Sequence, residues 1–145
     1  TYAVNSLRME KAYKGWGGEL TNEITPVEAD VERFFRDEKE EFIGRDAVLQ
    51  VRRQEAGIRC VYFEVAPGDN DVVGGEPLLD GGKVIGITTS GGFGHITGKS
   101  LGFGYVPAAN SHPGATFDVE LLGEMRQVTV LDGPVWDPES KRPRA

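Results

Sequence analysis

Glu10 stands among aromatic residues: Tyr2 lies ahead of it, and Tyr13 and Trp16 follow within SLRMEKAYKGWGGELTNEITP (6–26). A carboxylate between aromatic faces suits a planar heterocycle. Its two oxygens can accept two parallel N–H donors, which fixes orientation as well as affinity. The rings of Tyr2, Tyr13 and Trp16 would wall such a pocket. The plainer alternative is a surface carboxylate paired with Lys11 or Lys14, a contact of little energetic weight. Spacing leaves both open.

Three other groups invite a chemical reading. The basic run Arg33, Arg36, Lys39, Arg45, Arg52, Arg53 and Arg59 stands out in a chain of net charge −7. It is either a set of solvated helix faces with carboxylate partners such as Glu32–Arg36, or a patch for a small polyanion. GGFGHITGKS (91–100) looks like a phosphate-binding loop, but Phe93 occupies the position where the first glycine belongs. Such a loop must also open a helix, and SLGFGYVP after it reads as a strand. A glycine-rich hairpin is expected instead. His95 has no companion nucleophile, and Cys60 alternates with Val61 and Phe63 like a residue of a sheet core.

The elements that must position these groups divide unevenly. Residues 2–9 alternate apolar and polar and predict a strand. Thr25-Pro26-Val27-Glu28 reads as a capped helix start, with a helix expected over Pro26–Phe35. A second helix is expected from Arg45 to Glu55, with Gly57 as a left-handed cap. After that the period turns strand-like: 58–66, 76–80, 83–90, 100–107, 115–122 and 125–131 are six candidates. Asp80-Gly81-Gly82 and Gly123-Glu124 mark hairpin turns. Six short strands with close turns predict a small antiparallel barrel. Residues from Pro134 read as an extended tail. The fold expected is α+β: a partial α/β segment over 1–56, then a six-stranded Greek-key-like barrel domain over 57–145.

Bulk composition narrows the function classes. At 145 residues the chain can bury about two-thirds of its unfolded surface. An acidic balance argues against nucleic acid as a partner, and no apolar stretch is long enough to span a membrane. One cysteine and two histidines argue against zinc. With no secretory signal pattern and no disulfide possible within the chain, a reducing, cytoplasmic setting is expected.

The residues in SLRMEKAYKGWGGELTNEITPVEAD, FIGRDAVL (42–49), GEPLLDGGKVIGITTSGGFGHITGKSLGFGYVP (75–107) and DPESKRPR (137–144) together resemble the tetrahydrofolate-binding aminomethyltransferase family. That family includes the glycine-cleavage T-protein and relatives fused to flavin enzymes, among them dimethylglycine and sarcosine dehydrogenases. FIGRDAVL is closest to the dehydrogenase-fused branch. The resemblance covers nearly the whole chain, with its motifs in order.

It implies a folate-binding role for 1–56 and a C-terminal barrel after it. Glu10 would hold the amino and ring N–H groups of the pterin. Tyr2, Met9 and Lys11 would line the same site, with Trp16 as a further aromatic wall. Arg59, and less directly Arg36 or Lys39, would meet the anionic end of folate. It also implies what is absent: the acidic residue that positions the reacting folate nitrogen, and any FAD domain, belong to sequence preceding Thr1. The chain, which does not begin with Met, is therefore expected to be the C-terminal part of a longer polypeptide, inactive alone. Two alternatives are a stand-alone folate-binding module and a structural docking module.

Overall fold

The structure, a computed structural model, describes residues 2–36, 38–54 and 56–142. Six strands form its body: β1 (Ile58–Val65), β2 (Pro77–Asp80), β3 (Lys83–Gly94), β4 (Lys99–Pro107), β5 (Thr116–Leu121) and β6 (Glu124–Val130). All pair antiparallel in the order β1-β4-β3-β2-β5-β6, and β1 also pairs with β6, so the sheet closes into a barrel. The α+β class and the six-stranded barrel match the sequence expectation. Closure covers most of the strand edges, though β1 pairs β6 only over Phe63–Val65 and β2 pairs β5 only at Leu78 and Leu79.

The barrel forms because its apolar residues recur every second position. In β5, Phe117, Val119 and Leu121 are buried while Thr116 and Glu120 are exposed. These join Val61, Phe63, Leu78, Val106 and Val128 in one core. Gly102 faces Phe63 across β1 and β4. A Cβ there would lie 2.5 Å from the Phe63 ring, so the glycine makes room for that fully buried side chain. The β2–β3 loop is Gly81-Gly82, both at positive φ, as a two-residue hairpin loop demands.

Ahead of the barrel the sequence expectations need correction. Residues 2–9 are not a strand: α1 (Tyr2–Glu10) is a helix. Its inward face is Ser6, Met9 and Glu10, all buried and spaced three and four apart. As a helix the segment turns all three onto β3, β4 and the turn between them.

The helix expected over Pro26–Phe35 is a single turn followed by a 3-10 turn at Glu32–Phe34. The capping pair is present: Thr25 N donates to Glu28 Oε2 (2.8 Å) and Glu28 N to Thr25 Oγ1 (3.2 Å). Propagation fails because the Glu28 carbonyl, which the next turn would need, accepts from Cys60 N of β1 at 2.7 Å. Asp30, in the left-handed region at φ 53°, ends the turn. α2 (Arg45–Gln54) forms as expected but buries no residue fully; Glu55, its expected last residue, lies outside the described residues. Gly57 is not left-handed; its carbonyl accepts from Ala108 N. The tail from Pro134 is not simply extended. It folds back in turns, with Asp137 and Ser140 at φ 42° and 51°.

Candidate functional site

α1 ends in a left-handed turn. Ala12 N donates to the Met9 carbonyl (3.0 Å) and Tyr13 N to that of Arg8 (2.9 Å), with Ala12 at φ 52°. This turn delivers Lys11, Tyr13 and Lys14 to a groove of about 910 Å³. Tyr62 and Phe103 of the barrel, the 30–34 turn, Arg59 of β1 and the C-terminal tail complete its lining.

Four cations line the groove: Lys11, Lys14, Arg33 and Arg59. Lys14 Nζ reaches the Asp30 carbonyl (3.1 Å) and carboxylate (3.4 Å) and sits 5.9 Å from the Phe103 ring centre. Arg59 Nη1 lies 3.6 Å from Glu32 Oε2 and 3.4 Å from the Val27 carbonyl, both loose contacts. Arg33 stacks on Phe34 at 4.9 Å. Lys11 turns to the tail, reaching the Asp137 carbonyl (2.6 Å) and Ser140 Oγ (3.1 Å). Arg59 on loose contacts and Arg33 over an aromatic ring can receive an extended, anionic, partly aromatic molecule.

Glu10 is buried, which decides against the surface-carboxylate alternative, but its carboxylate is half engaged. Oε1 accepts from Ile96 N (2.8 Å), Thr97 N (2.8 Å) and Thr97 Oγ1 (3.0 Å). Oε2 is buried and meets no donor among the described residues. The two-oxygen grip on a heterocycle is therefore reduced to a single free acceptor.

The other expected site residues are scattered. Arg59 and Lys11 share the groove. Met9 lies in a core cluster with Cys60, Tyr62, Leu101 and Phe103. Tyr2 borders a second hollow of about 620 Å³ between α1 and β3, where its hydroxyl lies 3.3 Å from His95 Nε2. Tyr13 lines the groove, whereas Trp16 is 76% exposed and lines neither space. Tyr2, Tyr13 and Trp16 thus do not wall one pocket around Glu10. Arg36 and Lys39 are exposed beyond the 3-10 turn, Lys39 over the Phe42 ring. Cys60 is buried, which pushes its thiol up to about 12 and keeps it protonated.

A second buried carboxylate, Glu19, escapes sequence reasoning. Its Oε1 accepts from Thr89 Oγ1 (2.7 Å) and from Ser90 Oγ; its Oε2 accepts from Gly15 N (2.7 Å) and Arg8 Nη1 (3.2 Å). Burial alone would raise its pKa. The Ser90 hydroxyl, the Gly15 amide, the Thr89 hydroxyl and Arg8 outweigh that and hold the carboxyl below the ordinary 4.5. No local pattern announces this, because Thr89 and Ser90 are 70 and 71 residues away in sequence.

Residues 95–98 form the turn between β3 and β4, so the phosphate-loop look-alike opens a strand and not a helix. Among the described residues, no group of three His, Cys, Asp or Glu could hold a metal ion. No helix among them is long and apolar enough to cross a membrane.

Residues 59–137 match the family model described as the glycine cleavage T-protein C-terminal barrel domain. Over 145 aligned residues the chain is 40% identical to dimethylglycine dehydrogenase, mitochondrial, of Mus musculus, a match that takes in 99% of this chain and 17% of that one. It is 34% identical over 135 residues to an aminomethyltransferase of Moorella thermoacetica, covering 92% of this chain and 36% of the other. The crystal structure of glycine cleavage system aminomethyltransferase T from Bartonella henselae superposes with a TM-score of 0.84 at 29% identity, over 92% of this chain and 38% of that one. The chain spans less than two-fifths of the length of these relatives.

Proposed function

The chain belongs to the glycine cleavage T-protein C-terminal barrel family, and from that membership we propose that it is the C-terminal part of a tetrahydrofolate-dependent aminomethyltransferase or dimethylglycine (sarcosine) dehydrogenase-like protein. Residues 1–56 would then complete a folate-binding domain and 57–145 form its barrel domain. Its role is to help hold tetrahydrofolate while a one-carbon unit is captured. The 40% identity to a dimethylglycine dehydrogenase across nearly the whole chain carries this reading.

The groove supports it in chemical terms. Arg59 and Lys14 would bind the carboxylates of the folate tail, and Tyr62 and Phe103 would flank its aromatic portion. Glu10 lines neither the groove nor the second hollow; in the longer protein it would accept one pterin N–H on Oε2, the oxygen that meets no donor among the described residues. Reduced folate supplies the amine that captures the one-carbon unit as methylenetetrahydrofolate. The work of these residues is orientation: a bound amine beside a reactive carbon gains most of its rate from placement. FAD, where the longer protein uses it, would be held by polypeptide outside this chain. A reducing compartment such as the cytoplasm is the proposed setting.

Titration with tetrahydrofolate, followed by tryptophan emission, tests this. Arg59→Ala is expected to weaken binding about tenfold, roughly 1.4 kcal/mol, at unchanged melting temperature. Equal affinity in the variant would remove Arg59 from the site. No saturable binding, by this chain or by a longer protein containing it, would reject the folate reading.

A docking role is the second reading, favoured by the orientation of α1. Its polar Asn5 and Ser6 bond inward to the Gly91 and Phe93 carbonyls (2.9 and 2.7 Å). Its apolar Val4 and Leu7 face outward, 66% and 54% exposed. A helix fixed this way round suits a covering polypeptide, which in longer relatives the rest of the same chain could supply. A chain that never binds folate, yet associates with that remainder, would favour docking.

A further inference from the structure

The C-terminal tail is one wall of the groove, and its attachment differs from that of the other walls. After Leu131 N donates to the Tyr62 carbonyl, the chain leaves the barrel ladder. Asp132, Gly133, Pro134, Pro138 and Ser140 then line the groove. Beyond that point the tail bonds mostly to itself. The Asp137 carboxylate accepts from Lys141 N (2.8 Å) and Arg142 N (3.3 Å), and Arg142 lies over the Trp136 ring at 5.0 Å. Asp137 and Ser140 hold left-handed backbone, a conformation that residues with side chains keep only when their surroundings impose it.

Its ties to the rest of the molecule meet at the last turn of α1. Val135 packs against the Met9–Tyr62 cluster, and Trp136 N donates to the Glu10 carbonyl at 3.1 Å. The Val135 backbone also bonds the Tyr62 hydroxyl, and one ammonium group adds three more ties among the described residues. Lys11 Nζ donates to the Asp137 carbonyl (2.6 Å) and Ser140 Oγ (3.1 Å), and lies 3.5 Å from Asp137 Oδ2. An ammonium has three protons to give, and these three acceptors all belong to the tail. Lys11 also lines the groove, so a carboxylate arriving there competes with Asp137 for it.

We propose that residues 132–142 form a releasable wall of the groove and that Lys11 is the latch that holds it closed, positioning the wall and not the ligand. The latch stands on the ligand-free structure; only its effect on entry rests on the folate reading.

Hydrogen exchange of the full chain, read by mass spectrometry, separates the two. Without ligand, Lys11→Met, which keeps the aliphatic stem, and Asp137→Ala should each speed exchange over 134–142 by about tenfold. Exchange in β1 and β4 should stay unchanged, and Lys11→Arg should restore most of the protection. In Asp137→Ala, whose Lys11 cation is intact, tetrahydrofolate should also associate several-fold faster in stopped flow. Unchanged tail exchange in both variants overturns the latch, as does equal acceleration in β1 and β4, the mark of a general strut. Faster tail exchange with no folate association, by this chain or by a longer protein containing it, would uphold the latch and reject the folate reading.

Discussion

Residues 58–130 close on themselves around apolar side chains, whereas residues 2–36 reach the barrel largely through polar ones. The barrel core is Val, Leu and Phe at alternate positions. α1 and the loop after it are pinned by Asn5, Ser6, Glu10 and Glu19, with Met9 as the one buried apolar side chain of the helix. Apolar contact is tolerant of detail and strong in sum. A buried carboxylate with four donors is specific and vulnerable, because losing the partner leaves a charge or a set of donors stranded. The two regions should therefore fail differently.

The largest effect should come from the barrel. Phe63→Ala is expected to cost about 3–5 kcal/mol in urea unfolding, with all amides losing protection together. Loss confined to α1 would show that the two regions do not share one cooperative core. A smaller and local effect is expected from Glu19→Gln, roughly 2 kcal/mol, with α1 and residues 13–20 exchanging before β1. Its pH dependence has a defined sign. The Glu19 carboxyl is held below 4.5 in the folded chain, so its contribution is complete above that pH and fades as pH falls through the lower folded value. The gap in melting temperature between wild type and Glu19→Gln should narrow below about pH 4.5; a constant gap would mean that the charge is not what anchors the loop. The smallest effect should be a gain. Ala12 occupies a left-handed helix-end position that glycine fills without steric cost, so Ala12→Gly should stabilise by about 0.5–1 kcal/mol. A loss of stability would show that the Ala12 methyl contributes more through packing than its backbone costs.

The same contrast explains what could be read from sequence. The barrel was legible because each strand carries its own period of two and its turns carry Asp80-Gly81-Gly82 or Gly123. The N-terminal region was not, because its instructions are non-local. Tyr2, Val4, Leu7 and Met9 look half-alternating, but Ser6 and Glu10 face inward because their hydrogen-bond partners sit on the β3–β4 hairpin, and Met9 because it packs against Tyr62, Leu101 and Phe103. The Thr25–Glu28 capping pair was legible, and the helix it promised was not, since a β1 amide takes the carbonyl needed to continue. Of the candidate site, spacing left Glu10 open between a buried clamp and a surface carboxylate, and Arg59 reaches the groove through its place at the start of β1. Glu19, and the pairing of Lys11 with Asp137, depend on partners more than 65 residues away in sequence.

The β3–β4 turn has one more consequence. Its sequence looked like a phosphate cradle and lacked the first glycine and the helix. Its backbone amides nevertheless converge on an anion: those of Ile96 and Thr97, with the Thr97 hydroxyl, all point at Glu10 Oε1. The turn is an anion nest whose guest is built into the polypeptide. An outside phosphate or carboxylate meets a seat already taken, and could claim it only by evicting Glu10 and prising α1 from the barrel.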